Sequence, residues 1–291
     1  MRFLIFGCGY LGRRVAAAWV DAGHDVIAVT RNQKNAESFR QSGIQPIVAD
    51  ICDLDSLAIL PEVDLTLHAV GFDRTSGRSQ EEVTCGGLKN VLSRLKGRCS
   101  RFIYVSSTSV FGQSAGEWVD ESSECKPTQP GGQNCLEAER LVWEYFPNTE
   151  APNANVLRLA GIYGPKRLLS RIDSIKAGLS VAGRSNSWLN LIHVDDAASA
   201  VIACEKHWAP FETYIVVDDR PVLREEYYNL LAGLAGGPVP VFNPEDATAR
   251  GSGGLNKRCS NKKLREKLRW APAFPSIEAG LPASINSTTS P

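Results

Sequence analysis

Short apolar runs alternate with segments of helical periodicity over roughly the first two hundred residues of this chain. The runs that predict β-strands are Arg2–Phe6, Asp25–Thr30, Gln45–Ala49, Asp64–Val70, Arg101–Ser106 and Asn155–Leu159. The segments that predict helices between them are Leu11–Ala22, Ala36–Ser42, Glu82–Lys96 and Leu136–Tyr145. Alternating strands and helices form βαβ units, whose right-handed crossovers place helices on both faces of one parallel sheet. We therefore expect an α/β fold built on a doubly wound parallel sheet.

After Pro165 the predicted elements become shorter and less regular. They are the helices Leu168–Ala177, Asp195–Lys206 and Arg224–Ala235 and the strands Trp188–His193 and Tyr214–Val217. The basic segment Asn256–Arg269 has apolar residues on one helical face, which predicts packing. The polar end Ala283–Pro291 predicts disorder. We expect a large domain over residues 1–165, to which part of 189–217 returns, and a smaller, interleaved C-terminal lobe over 166–291.

Composition and charge exclude several classes of protein. The 291 residues carry 32 Lys and Arg against 32 Asp and Glu, so there is no basic excess for binding nucleic acid. No apolar run approaches the ~20 residues of a membrane span, and the apolar start is too short for a signal peptide. None of the eight cysteines forms a C-x-x-C pair, which argues against a structural metal and for reduced thiols. We expect a cytoplasmic protein.

A glycine-rich loop follows the first predicted strand. Gly7, Gly9 and Gly12, with Tyr10 and Leu11 between them, form G-x-G-x-x-G at the start of a helix. In a βαβ unit the first glycine permits the turn, the second lets a diphosphate approach, and the third packs the helix on the strand. This context predicts a Rossmann-type dinucleotide site; the alternative is a tight turn that binds nothing.

The end of the second predicted strand indicates which dinucleotide binds. NAD-binding proteins usually carry an acid there, which binds the ribose 2′-hydroxyl. This chain instead has Arg31, followed closely by Lys34. Arginine can hold a 2′-phosphate in a bidentate contact, which favours NADPH over NADH. The alternative is that both cations are merely solvated.

Further segments carry a family resemblance over nearly the whole chain. They are the glycine loop, Ala49–Asp53, Tyr104–Gly112, Leu157–Pro165, Ile192–Ala198 and Lys257–Leu264. In these segments the chain resembles an extended short-chain dehydrogenase/reductase of the NAD(P)-dependent epimerase/dehydratase type. The resemblance implies that Asp50 and Ile51 flank the adenine and that Ala69 and Val70 belong to the cofactor site. It also implies a small-molecule substrate and a homodimer.

The chain departs from the family pattern where proton transfer occurs. The position of the usual tyrosine is Gly131, that of the usual lysine is Cys135, and a helix asparagine is replaced by Thr84. The glycine loop is also one residue shorter than in the extended family. These features resemble the atypical branch, and carbonyl reduction should be weak unless another residue substitutes.

Two residues are the candidates for the remaining chemistry. Ser107 matches the family's catalytic serine and could donate to a substrate oxygen, or else it bonds only to backbone at a strand end. Tyr163 lies in a turn after the sixth strand, where ligands bind in such sheets, and is the first candidate for a replacement acid. Its alternative is an aromatic side chain that packs the turn.

Other side chains have a weaker case. His193 is a weak candidate for a proton carrier, because Asp195 and Asp196 beside it are better interpreted as caps of the following helix. His68 is better interpreted as a core or cofactor-packing residue, and Cys135 as an inert thiol than as a nucleophile. Arg167 and Arg171 could clamp an anionic group of a substrate or simply be solvated.

Two functions remain open at this point. The first is an NAD(P)-dependent oxidoreductase or epimerase-like enzyme that acts on a small polar or sugar-derived substrate. The second is a cofactor-binding sensor or scaffold that has lost turnover.

Overall fold

The computed structural model describes residues 1–146, 153–244 and 255–289. The strands are β1 Arg2–Phe6, β2 Asp25–Thr30, β3 Gln45–Val48, β4 Val63–His68, β5 Cys99–Ser107, β6 Glu117–Val119, β7 Asn153–Leu159, β8 Gly161–Tyr163, β9 Val181–Ala182, β10 Trp188–Leu189, β11 Leu191–His193, β12 Thr213–Val216, β13 Val222–Leu223, β14 Phe242–Asn243 and β15 Lys257–Cys259. The α-helices are α1 Gly12–Asp21, α2 Gln33–Gln41, α3 Gly87–Leu95, α4 Pro130–Tyr145, α5 Leu169–Lys176, α6 Val194–Lys206, α7 Arg224–Ala235, α8 Lys262–Leu268 and α9 Ile277–Thr289. A π-helical turn at Glu82–Gly86 precedes α3.

Seven parallel strands form the central sheet in the order β12-β7-β5-β4-β1-β2-β3. Alternate residues of β1 enter different cores: Phe3 and Ile5 pack on the face covered by α1 and α6, and Leu4 and Phe6 on the face covered by α3 and α4. Both faces are therefore buried, which explains why the strands read as continuous apolar runs. The predicted α/β, Rossmann-type doubly wound sheet is confirmed.

A separate apolar core belongs to the C-terminal part of the chain. It is formed mainly by side chains of α5, α7 and α9. β12 lies in the segment predicted to return to the large domain, and it is the edge strand beside β7. The domain boundaries themselves stay a prediction. Leu264, Leu268 and Trp270 are buried, in agreement with the packing interpretation of the basic segment.

A buried ion pair fixes α4 against the sheet. Glu139 of α4 accepts hydrogen bonds from Arg158 of β7, whose Nη2 lies 2.7 Å from Oε2. The hydroxyl of Ser106 on β5 donates to the same carboxylate at 2.5 Å. Because both charges are buried and paired, removal of either partner alone would leave an uncompensated charge in the core. The pair thereby fixes the middle of α4 against β5 and β7.

Two predicted helices begin differently from expectation. α4 starts at Pro130 rather than Leu136, because proline is favoured in a first helical turn. The backbone at Gly132 also packs closely against Ser109: a methyl group on Gly132 would lie 2.3 Å from the Ser109 carbonyl oxygen. The helix predicted from Glu82 begins with the π-helical turn. Its glycine-rich end lets the backbone at Gly87 pack against Ile51.

The predicted strand Trp188–His193 is two short strands. It breaks at Asn190, whose side chain donates to the Lys257 carbonyl at 2.9 Å and accepts from the Cys259 amide at 2.7 Å. β10 therefore pairs with β13, whereas β11 pairs with β8.

The helix α9 extends to Thr289, into the segment Ala283–Pro291 for which the sequence predicts disorder, and the disorder of that segment stays a prediction. The start of α9 is anchored by the buried side chains of Ile277 and Leu281, and Ser284 donates to the Gly280 carbonyl at 2.7 Å. Within the described ranges, the structure has no helix whose length and apolarity would allow it to cross a membrane.

Asp218 is a buried acid just after β12. It is 1% exposed, and in the described residues neither carboxylate oxygen has a hydrogen-bond partner of normal geometry. Burial raises the pKa of Asp218 to about 8, and the charges of Asp219 and Asp196 act in the same direction. The folded protein therefore holds Asp218 protonated at neutral pH, whereas the unfolded chain does not.

This burial predicts a falling stability as pH rises. Between about pH 4 and pH 8 the folded state binds a proton that the unfolded state has lost, so Asp218 should remove up to about 1.4 kcal/mol of unfolding free energy per pH unit. Asp218→Asn should lack this contribution. Urea unfolding of both proteins from pH 5 to 9 measures it, with Asp21→Asn on the exposed end of α1 as the control. A wild-type-minus-Asp218→Asn difference that is flat with pH would contradict the prediction.

Candidate active site

A cleft of about 1200 Å³ lies at the carboxyl ends of β1, β2, β4 and β5. Most of the residues predicted to bind a cofactor line it. They are Gly7, Gly9, Tyr10, Leu11, Arg31, Ile51, Ala69 and Val70, and Ser107 lines it as well. Ligands of open α/β sheets bind at this edge, so the sequence motifs and the cleft coincide.

The glycine loop shows a different constraint at each glycine. Gly7 has φ 84°, and a methyl group there would lie 2.3 Å from the Ala69 carbonyl oxygen. A methyl group on Gly12 would lie 2.5 Å from the Gly7 carbonyl oxygen. A methyl group on Gly9 would meet nothing within 4 Å. Gly7 and Gly12 are thus required by the fold, whereas Gly9 opens towards the cleft beside the first turn of α1, where free amides favour an anion.

Tyr10 joins this loop to the turn after β8. Its hydroxyl donates to the Pro165 carbonyl at 2.9 Å. The Arg14 and Arg167 guanidinium carbons lie 4.6 Å and 5.2 Å from the centre of its ring. Arg167, one of the two arginines predicted to clamp an anionic group, also lines the cleft. Arg171 instead bonds to the hydroxyl of Tyr228.

Of the two residues predicted to flank an adenine, Ile51 lines the cleft, and so does Ala49. Asp50 between them is engaged elsewhere: its carboxylate accepts from the Cys52 amide at 2.9 Å and from Arg78 at 3.1 Å. Asp50 therefore braces the loop after β3, and its direct contact with an adenine stays a prediction.

The other end of the cleft contains Ser107. Its hydroxyl accepts from the Ser109 amide at 3.1 Å, as the backbone-bonded alternative predicts. One acceptor contact leaves the hydroxyl proton for another partner, so both interpretations of Ser107 are compatible with this geometry.

Sequence reasoning did not single out Gln80 and Tyr104 as site residues, and both line the cleft. The Gln80 amide lies against Gly131, where a methyl group would be 3.4 Å from Nε2. The sequence signal near Gln80 is a capping box, in which the side chains of Ser79 and Glu82 each accept from the other's backbone amide. Such a box marks the start of a helix, and Gln80 lies within it.

Cys135 lines the cleft on α4, one helical turn after Gly131. Burial raises its pKa. A raised pKa keeps the group a thiol at neutral pH, as the inert interpretation predicts.

Tyr163 is not in the cleft. Its side chain is 2% exposed within the C-terminal core, and its hydroxyl faces Gly280 and the Ser276 carbonyl, the latter at 3.5 Å. Burial raises the pKa of this hydroxyl far above its ordinary value. This placement corrects the prediction of Tyr163 as a replacement acid and supports the packing alternative.

The two histidines are also packing residues. His68 is buried between aromatic rings, and burial lowers its pKa to about 4. His193 caps α6 by accepting from the Asp195 amide at 3.3 Å and stacks on Phe274 at 4.0 Å between ring centres. Neither ring lines the cleft.

The profile of the NAD-dependent epimerase/dehydratase family matches residues 3–216. The chain belongs to this family. It is 29% identical over 246 residues to protein YeeZ of Escherichia coli K12, covering 82% of this chain and 85% of YeeZ. It is 33% identical over 261 residues to short-chain dehydrogenase/reductase family 42E member 1 of Macaca fascicularis, covering 78% and 66%.

The fold is also that of solved epimerases. The structure of UDP-glucose 4-epimerase from Thermotoga maritima with UDP-glucose superposes with a TM-score of 0.83 at 20% identity, covering 99% of this chain and 98% of that one. At this identity the similarity shows the fold alone.

The glycine geometry predicts opposite effects at two positions of one loop. Gly9→Ala should change the free energy of unfolding by less than about 1 kcal/mol, because its methyl group meets no protein atom. The same methyl group should weaken NADPH binding at least about tenfold, since it occupies the diphosphate approach. Gly7→Ala should cost about 2–4 kcal/mol of stability through the positive φ and the contact with Ala69. Urea unfolding and calorimetric titration measure both; tight NADPH binding by Gly9→Ala would contradict the assignment.

Proposed function

We propose that the protein is an NADP(H)-preferring oxidoreductase or epimerase-like enzyme acting on a small polar or sugar-derived substrate. The observation that carries this proposal is the glycine loop, whose Gly9 lines a large cleft beside the start of α1 and has no protein atom within 4 Å of the position of an added methyl group. Membership of the epimerase/dehydratase family supports it. The Thermotoga relative was solved with a nucleotide sugar, which is consistent with a polar substrate.

The residues of the cleft fit a dinucleotide. The diphosphate would lie over Gly9, Tyr10 and Leu11, with Ala69 and Val70 beneath it. Ala49 and Ile51 would flank the adenine, and Arg31 would hold a 2′-phosphate. A bound nicotinamide supplies hydride transfer, and Ser107 would donate a hydrogen bond to the substrate oxygen.

The described cleft lining contains no side chain suited to proton transfer near neutral pH. Burial raises the pKa of Cys8 to about 11 and raises those of Tyr10, Cys135 and Tyr104. Hydrogen bonds from Thr75 lower the pKa of Asp73. A proton required during hydride transfer would therefore come from solvent or from the substrate itself.

The sensor or scaffold alternative gains no support from the comparisons. A homodimer and a cytoplasmic location stay predictions.

The cofactor preference is tested by binding. Arg31→Ala should weaken NADPH about five- to thirtyfold and leave NADH within about twofold, because only the 2′-phosphate loses a charged partner. Arg94→Ala on α3, whose side chain pairs with Asp55 outside the cleft, is the control. Calorimetric titration of the wild-type protein and both variants gives the six affinities. A wild-type protein that prefers NADH would overturn the assignment of Arg31.

Turnover is tested with NADPH or NADP⁺ and a panel of nucleotide sugars, free sugars and small carbonyl compounds. Ser107→Ala should reduce kcat about tenfold or more while cofactor affinity stays the same. Burial raises the pKa values of Cys135 and Tyr104 away from neutrality, so the rate of the wild-type protein at saturating cofactor should vary less than about threefold from pH 6 to 8. A bell-shaped profile with a limb near pH 7 would show an enzymatic acid or base that this account lacks.

A further inference from the structure

Arg31 faces an acid that comes from a different loop. Asp73 lies in the segment between β4 and the π-helical turn, and its Oδ2 is 3.7 Å from Nη2 of Arg31. Both side chains line the cleft, and they are 51% and 50% exposed. An acid and a base thus share the end of the cleft where β2 finishes.

The carboxylate of Asp73 is held by its own loop. Oδ1 accepts from the Thr75 amide at 2.9 Å and from the Thr75 hydroxyl at 2.7 Å. These two contacts occupy Oδ1, whereas Oδ2 is the oxygen on the side of Arg31. Asp73 is therefore a fixed, ionised acceptor.

NAD-binding folds usually carry an acidic residue at the end of their second strand, and Asp73 offers the same kind of acceptor. There a carboxylate accepts from the ribose 2′-hydroxyl and repels a 2′-phosphate. In this chain the strand end provides Arg31 instead, and the nearest described carboxylate is supplied across the cleft. Sequence rules that inspect only the end of β2 do not find it.

We propose that Asp73 is a specificity-determining residue that opposes Arg31 and keeps the site open to both nucleotides. The proposal rests on the cofactor site proposed above. Asp73 accepts from the 2′-hydroxyl of NAD(H), and Arg31 pairs with the 2′-phosphate of NADP(H). Because an ion pair between half-exposed side chains is weak, either nucleotide can replace it.

Two substitutions separate the charge of Asp73 from its hydrogen bond to a ribose. Asp73→Asn keeps one oxygen for Thr75 and places an amide N–H, which can donate to a 2′-hydroxyl, on the side of Arg31. The negative charge is lost, so NADPH should bind about three- to tenfold more tightly and NADH within about twofold of wild type. Asp73→Ala should tighten NADPH similarly and weaken NADH about threefold or more, because the hydrogen bond is lost as well.

The experiment is calorimetric titration of each full-length protein with NADPH, NADH, adenosine 2′,5′-bisphosphate and 5′-AMP. The two adenosine fragments should show the same change of ratio as the complete nucleotides, since the effect is confined to the ribose. The gain for Asp73→Asn should shrink between 50 and 500 mM salt, because it is electrostatic. Asp55→Asn, whose side chain is 98% exposed and pairs with Arg94, is the charge-matched control and should change no ratio.

The outcomes distinguish this inference from the proposal on which it rests. A wild-type protein that binds neither dinucleotide overturns both. A wild-type protein that binds them, with Asp73→Asn unchanged in its NADPH-to-NADH ratio and correctly folded by circular dichroism, overturns only the role of Asp73. The role of Asp73 is also overturned if the affinity ratio changes for the dinucleotides but not for the two adenosine fragments, because the effect then arises elsewhere in the cleft.

Discussion

The close approach of two backbone segments underlies the cleft. At Gly7 the chain leaves β1 so near to the residues after β4 that a methyl group would lie 2.3 Å from the Ala69 carbonyl oxygen and 2.5 Å from the Val70 nitrogen. The same turn brings the start of α1 under Gly7, where Gly12 again leaves no room for a side chain. These contacts bring α1, the glycine loop and the floor of the cleft into one rigid arrangement, and the remaining residues of the site are positioned around it.

A second constraint acts on the opposite side of the cleft. The ion pair between Glu139 and Arg158, with the hydroxyl of Ser106, fixes α4 to the two strands that end beside Ser107. α4 carries Gly131 and Cys135, the positions at which the sequence resemblance predicts a tyrosine and a lysine in other members of the family. Glycine has no side chain, and burial raises the pKa of the Cys135 thiol, so neither position supplies a proton donor near neutral pH.

The sequence predicts the fold and one part of the site well, for identifiable reasons. β1 and β2 are buried on both faces, so their apolar runs are continuous and their bounds follow from the residues alone. The glycine loop is a short continuous motif, so its spacing between a strand and a helix is enough to predict a dinucleotide site. Contacts between distant segments are not readable in this way: the packing of Tyr163 depends on Ser276 and Gly280, more than a hundred residues later. Asn190 divides a strand only because β15 supplies its partners. Asp73 lies in a loop without periodicity, and nothing in its neighbourhood indicates that Arg31 is opposite.

Tyr10 connects the glycine loop to the turn after β8. Its hydroxyl bonds to the carbonyl of Pro165, where the chain passes from the sheet into the C-terminal lobe, while its ring lines the cleft next to Gly9. A displacement of Pro165 would therefore move the same aromatic side chain that borders the glycine loop. Through this one hydrogen bond, a change in the turn after β8 reaches the wall of the cleft, although the two bonded residues are 155 positions apart in the chain.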